Sequence, residues 1–91
     1  MRAKSLTEHF PLLTIGMPVK NRAWCIRETL KAIDNIDYPR DKLKIIFVDD
    51  YSTDGTFEIL KGWKTRREGL YHGITLVQKK EPTYRRLEMY A

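Results

Sequence analysis

Asp49 and Asp50 stand side by side in the stretch IIFVDDYSTDGT, where four apolar residues run into two carboxylates and then into Ser52, Thr53, Asp54 and Gly55. A carboxylate accepts hydrogen bonds and donates none, which suits ribose hydroxyls or the N–H of a base. Successive side chains at a strand end point to opposite sides, so the pair does not grip one ligand atom together. One of the two can face a ligand while the other serves the start of the next helix. A second polar group is PVKNR, Pro18 to Arg22, in which Lys20 can approach a phosphate or stay in solvent and Asn21 can cap a helix. Cys25, His9 and His72 lack the spacing of a metal site or of an activated thiol, so none of the three is expected to bind a metal or act as a nucleophile.

Three apolar runs and two amphipathic segments position these groups. PLLTIGMP, Pro11 to Pro18, is predicted as a buried strand ended by proline. NRAWCIRETLKAIDNI follows with Ile26, Leu30 and Ile33 at i, i+4 and i+7, an amphipathic helix that Asn21 is predicted to cap and Tyr38-Pro39 to stop. LKIIFVDD is the second strand, and its consecutive apolar residues predict burial on both faces, as in a parallel sheet covered by helices. STDGTFEILKGWKTR is a second helix with Phe57, Leu60 and Trp63 as its core stripe; HGITLVQK is a third strand; PTYRRLEMYA opens like a third helix. Trp24 and Trp63 are both expected to pack rather than to meet a ligand.

The order β-α-β-α-β favours parallel strands joined by right-handed crossovers. The fold class is therefore α/β, a Rossmann-like three-layer α/β/α arrangement with its helices on both faces of the sheet. Ligands of such sheets sit outside the carboxyl ends of the strands, which is where PVKNR and DDYSTD fall. A nicotinamide site is disfavoured because GMPVKN lacks the G-x-G-x-x-G loop, and no G-x-x-x-x-G-K-[ST] is present.

Ninety-one residues bound the chain to one domain at most, and the hydrophobic fraction of 42% is that of a globular chain. A single cysteine excludes an intrachain disulfide and suits a reducing compartment, so a cytoplasmic location is expected. No apolar run reaches the roughly 20 residues of a membrane helix. The net charge of +5 lies wholly in residues 61–91, which carry eight Lys/Arg against three Glu. A solvated face explains that excess most simply; an anionic membrane surface or an acidic substrate would also use it. Nucleic acid is not an expected partner, because no zinc-finger, RNP or helix-turn-helix pattern accompanies the charge.

LLTIGMPVKNRAWCIRETLKAIDNIDYP followed by LKIIFVDDYSTDGTFEIL resembles the opening of family 2 glycosyltransferases of the GT-A fold. The likeness runs over roughly Leu12 to Leu60 and is carried by the order of Pro-Val, Tyr-Pro and Val-Asp-Asp elements. It implies a sugar transfer from a UDP- or GDP-sugar to an unspecified acceptor. It implies a nucleotide site at Pro18, Val19, Lys20, Asn21, Arg22, Asp49 and Asp50, with Asp50 on the nucleoside and Asp49 in a more structural role. Lys20 departs from the tyrosine usual there, and Tyr51 stands for the glycine of the family's DDGS.

The resemblance also implies Mg²⁺ or Mn²⁺ on an Asp-x-Asp motif, and this sequence contains none. Residues 1–91 are accordingly expected to be the nucleotide-binding half of a longer domain and inactive alone. Its first strand would then form an exposed apolar edge open to self-association. Two other classes compete. A receiver-like signalling domain would place its acidic pair after the first strand and an aspartate at the end of the third, where Gln78-Lys79-Lys80 stands. A non-catalytic domain binding polyanions would show steep salt dependence.

Overall fold

The computed structural model describes residues 10–80. The expected third helix from Pro82, the Arg85-Arg86 pair and His9 lie outside the described residues. Three strands, β1 (Leu13–Val19), β2 (Leu43–Asp49) and β3 (Gly73–Gln78), alternate with two helices, α1 (Ile26–Asp34) and α2 (Thr56–Arg67). A short 3₁₀ turn, Arg40–Lys42, leads into β2. The sheet order is β1-β2-β3 and both pairings are parallel, with Ile15 beside Ile45 beside Ile74 and Val19 beside Asp49 beside Gln78. This is the Rossmann-like α/β arrangement that the element order implies.

Burial follows the period of each element. In β2, Leu43, Ile45, Phe47 and Asp49 are buried while Lys44, Ile46 and Val48 are half-covered. The expectation of a β2 buried on both faces is thus met on one face only. Strand order advances in one direction, so right-handed crossovers place α1 and α2 on the same face. Among the described residues no helix covers the other face. In α1, the buried residues are Ile26, Leu30 and Ile33, the stripe read from the sequence. In α2 they are Thr56, Leu60 and Trp63, with Phe57 only half-buried.

The core closes with aromatic contacts. Phe47 meets Trp63 edge-on at 5.9 Å, and Trp63 lies 5.6 Å from Tyr71. Full burial of side chains such as Phe47, Ile45 and Leu60 contributes about 1.5–3 kcal/mol each. Trp24 is not part of this core: it is 80% exposed, because it precedes α1 in a turn that faces away from the sheet.

A polar cluster fastens the far end of the helix layer. Asp34, the last residue of α1, accepts from Arg67 Nη2 at 2.9 Å, Tyr71 Oη at 2.6 Å and Trp63 Nε1 at 3.4 Å. Burial pushes the Asp34 carboxyl up, but these donors outweigh it and hold the group below the ordinary carboxylate range. The same burial, reinforced by Asp34, pushes the Tyr71 phenol up to about 12.

Candidate functional site: the carboxyl edge of the sheet

The three strand ends are held together by main-chain bonds. Asp50 N donates to Val19 O at 2.8 Å, and Lys79 N donates to Asp49 O at 2.8 Å. The residue after each strand therefore lies beside its neighbour, and Lys20, Asp50 and Lys79 line the carboxyl edge. Lys20 and Asp50 are half-buried, and Asp50 Oδ1 is screened from solvent.

The two aspartates do diverge. Asp49 shares the helix-facing side with Val19 and is fully buried. Its carboxylate accepts from Ser52 N at 3.0 Å and Ser52 Oγ at 2.5 Å, which closes the turn after β2. A charged acceptor in such a turn is stronger than a neutral one. Asp50 follows on the other side of the chain.

The loop after β1 is stitched to the loop after β2. Asn21 N donates to Ser52 Oγ at 2.8 Å, and Asn21 Oδ1 accepts from Thr53 N at 2.8 Å. Arg22 N donates to Thr56 Oγ1 at 2.8 Å, and Ala23 N donates to Asp54 Oδ2 at 3.0 Å. Thr56 Oγ1 in turn donates to Asp54 Oδ1. The Thr56 hydroxyl, with the amides of Ala23 and Thr56, holds the Asp54 carboxyl below its usual range.

These bonds correct one local expectation. Asn21 does not cap α1. It sits at φ +51° and spends its side chain on the neighbouring loop, while α1 is entered through a turn in which Cys25 N and Ile26 N both donate to Arg22 O. Nor does a side chain occupy the N-cap position of α2, which is Gly55 at φ +96°. Asp54, one residue earlier, accepts the Thr56 amide instead.

Of the sequence-predicted site residues, Pro18 and Arg22 are exposed, Lys20, Asn21 and Asp50 are half-buried, and Val19 and Asp49 are buried. Arg22 folds its guanidinium back toward Lys20 O at 3.2 Å. All seven lie in the two loops and strand ends of one edge. Sequence reasoning missed Ser52, Thr53, Asp54 and Thr56 as the residues that lock that edge. Their clustering in STDGT was the available signal, since short polar side chains that compete for backbone groups gather where loops are fixed.

Tyr51 sits at φ +64°, a left-handed conformation that costs a non-glycine residue about 1–2 kcal/mol. Its ring is 44% exposed, so core packing does not offset that cost. Tyr51→Gly is expected to raise stability by roughly 0.5–1 kcal/mol, the relieved strain less about 0.5–1 kcal/mol of glycine entropy. Urea denaturation of the two proteins measures it.

The described residues do not fit a resident divalent cation. Both Asp49 oxygens are engaged by Ser52, and among the described residues no three His, Cys, Asp or Glu side chains stand together.

The site belongs to a Rossmann-like α/β sheet with an acidic strand end at the carboxyl edge, where ligands of such sheets sit. The model of the glycosyltransferase family 25 N-terminal domain matches residues 10–90, and the chain belongs to that family. It is 29% identical over 76 residues to a glycosyltransferase 25 family member of Anopheles gambiae, covering 84% of this chain and 13% of that protein. It is 36% identical over 75 residues to the probable glycosyltransferase YdaM of Bacillus subtilis, covering 82% of this chain and 17% of that one. Among solved structures it resembles the mannosyltransferase PcManGT of Pyrobaculum calidifontis in complex with GDP-Man and Mn²⁺. That likeness has a TM-score of 0.71 and 39% identity over 82% of this chain and 21% of that one. The chain thus spans a small part of the length of these relatives.

Proposed function

We propose that the intact protein transfers a hexose from a nucleotide-diphosphate sugar to an acceptor, and that residues 1–91 supply the nucleoside-binding half of its GT-A domain. The observation that carries this reading is the union of Asp50 with the 20–22 loop at one sheet edge, in a chain 39% identical to a mannosyltransferase solved with GDP-Man. The in-order likeness to the family 2 pattern supports the same placement.

In this reading Asp50 accepts from the ribose or base of the donor. Asp49 and Ser52 hold the turn that presents it. Asn21 keeps the two loops in register, and Lys20 and Arg22 offer positive charge toward the phosphates. A divalent cation would neutralise the diphosphate leaving group; its ligands and the base for the acceptor are assigned to residues outside this chain.

Titration calorimetry of the full-length protein with GDP- and UDP-sugars in the presence of Mn²⁺ tests the reading, with GDP-mannose as the first donor to try. Saturable binding of at least one nucleotide sugar is expected. Heat from none of them would overturn the proposal.

A further inference from the structure

The outer surface of the helix layer carries features that donor binding does not use. A groove of about 440 Å³ runs between α1 and α2, with Arg27 and Lys31 on one wall and Arg66 and Arg67 on the other. Glu58 and Asp34 also line it, but Asp34 is committed to Arg67. Arg27, Lys31 and Arg66 are exposed, so the surface is net positive. Gly62 keeps the groove open, since the Arg66 guanidinium lies 3.3 Å from where a Cβ would stand. At the head of α1, Trp24 is 80% exposed, the most exposed of the large apolar side chains described. Positions 27 and 31 share one face of α1, and Trp24 stands in the turn just before it.

We propose that this face, with Arg27 and Lys31 along α1 and the exposed Trp24 in the turn before it, docks on an anionic phospholipid surface. The indole of a tryptophan is amphipathic and sits at headgroup level, which accounts for an aromatic ring left in solvent beside cations. Each Lys or Arg near an anionic leaflet contributes attraction that is lost within a Debye length. A single-stranded nucleic acid would call instead for a cationic channel with several stacking rings. Here the aromatic residue that lines the groove, Trp63, is buried in the core.

The test is flotation of the full-length protein with phosphatidylcholine vesicles, with and without phosphatidylserine. Binding is expected only when phosphatidylserine is present. It is expected to be lost as salt rises from about 0.1 M to about 1 M and the Debye length shrinks from about 10 Å to about 3 Å. Arg27→Ala and Lys31→Ala are each expected to weaken it about fivefold, the effect of one cation near an anionic surface. Tryptophan emission is expected to shift to the blue on binding, and Trp24→Phe to reduce that shift. Equal affinity for both vesicle types, a double variant that binds like the parent, or capture of RNA without vesicles would each overturn the proposal. All three substitutions fall on exposed side chains, so loss of fold does not confound the comparison.

Discussion

Asp49→Ala is expected to destabilise the domain by about 2–4 kcal/mol, the sum of two hydrogen bonds to a buried charged acceptor reduced for non-additivity. The carboxylate has no exposed surface, and its two oxygens take the amide and hydroxyl of Ser52. Alanine leaves the Ser52 amide without its acceptor inside the turn. It also loosens the Ser52 hydroxyl, which accepts from Asn21 N across the two loops. The damage therefore spreads from β2 to the loop after β1. Asp49→Asn keeps the shape and one acceptor, and is expected to cost about 1 kcal/mol. Chemical denaturation of the three proteins measures the series. A loss under 0.5 kcal/mol, roughly that of an ordinary surface substitution, would show that the turn is held by something else.

Asp34→Ala is expected to cost about 2–3 kcal/mol, because it removes the acceptor that Arg67, Tyr71 and Trp63 share. The pair with Arg67 is part-exposed and screened, so its Coulombic share is small. The hydrogen bonds from Arg67 and Tyr71 carry more of the loss. The pH dependence has a definite sign. Asp34 has a folded pKa below its unfolded value, so its contribution is complete above the unfolded value, about 3.9, and is lost as pH falls through the folded one. Tyr71 behaves oppositely: its folded pKa is raised to about 12, so its contribution is complete below about 10 and is lost as pH rises toward 12. Melting temperatures of parent and Asp34→Ala between pH 2 and pH 6 are expected to converge at the acid end, on the order of the linkage described. A gap that stays constant with pH would contradict the role given to the ionised carboxylate.

Legibility in the sequence tracked the range of the interactions. The stripe Ile26, Leu30, Ile33 is local, and it is the buried face of α1. The apolar run of β2 and its position in the element order sufficed for parallel pairing. Coverage of only one sheet face did not show in that run, because half-covered Ile46 and Val48 are as apolar as buried Ile45 and Phe47. The Asp34 cluster joins residues 29 to 37 positions apart, a separation over which no periodicity speaks. Thr56 reads as an ordinary first-turn residue, yet it is fully buried because its hydroxyl links the Arg22 amide to Asp54. Trp24 was misplaced for a similar reason. It stands two residues before Ile26, about 200° around a helix from the buried stripe, and the turn at Arg22 to Cys25 leaves it in solvent.

The carboxyl edge was the most legible part of the site. Parallel strands put PVKNR and DDYSTD at one end by topology alone; there the Asp50 amide donates to Val19 O and the Asn21 amide donates to the Ser52 hydroxyl. The residues alone left open which aspartate of the pair faces a ligand, since two adjacent aspartates are identical as letters; the resemblance implied the structural role for Asp49. Asp49 is sealed in the turn, whereas Asp50 is half-buried at the edge.

That division makes Asp50→Asn the sharpest test of the central claim, measured as nucleotide affinity of the full-length protein by titration calorimetry. The substitution preserves size and leaves the Asp50 amide bond to Val19 O in place. If Asp50 accepts from the nucleoside, affinity falls about tenfold or more, the value of one charge-assisted hydrogen bond, while the melting temperature stays near that of the parent. Parental affinity in Asp50→Asn would contradict the assignment of this edge to the nucleoside.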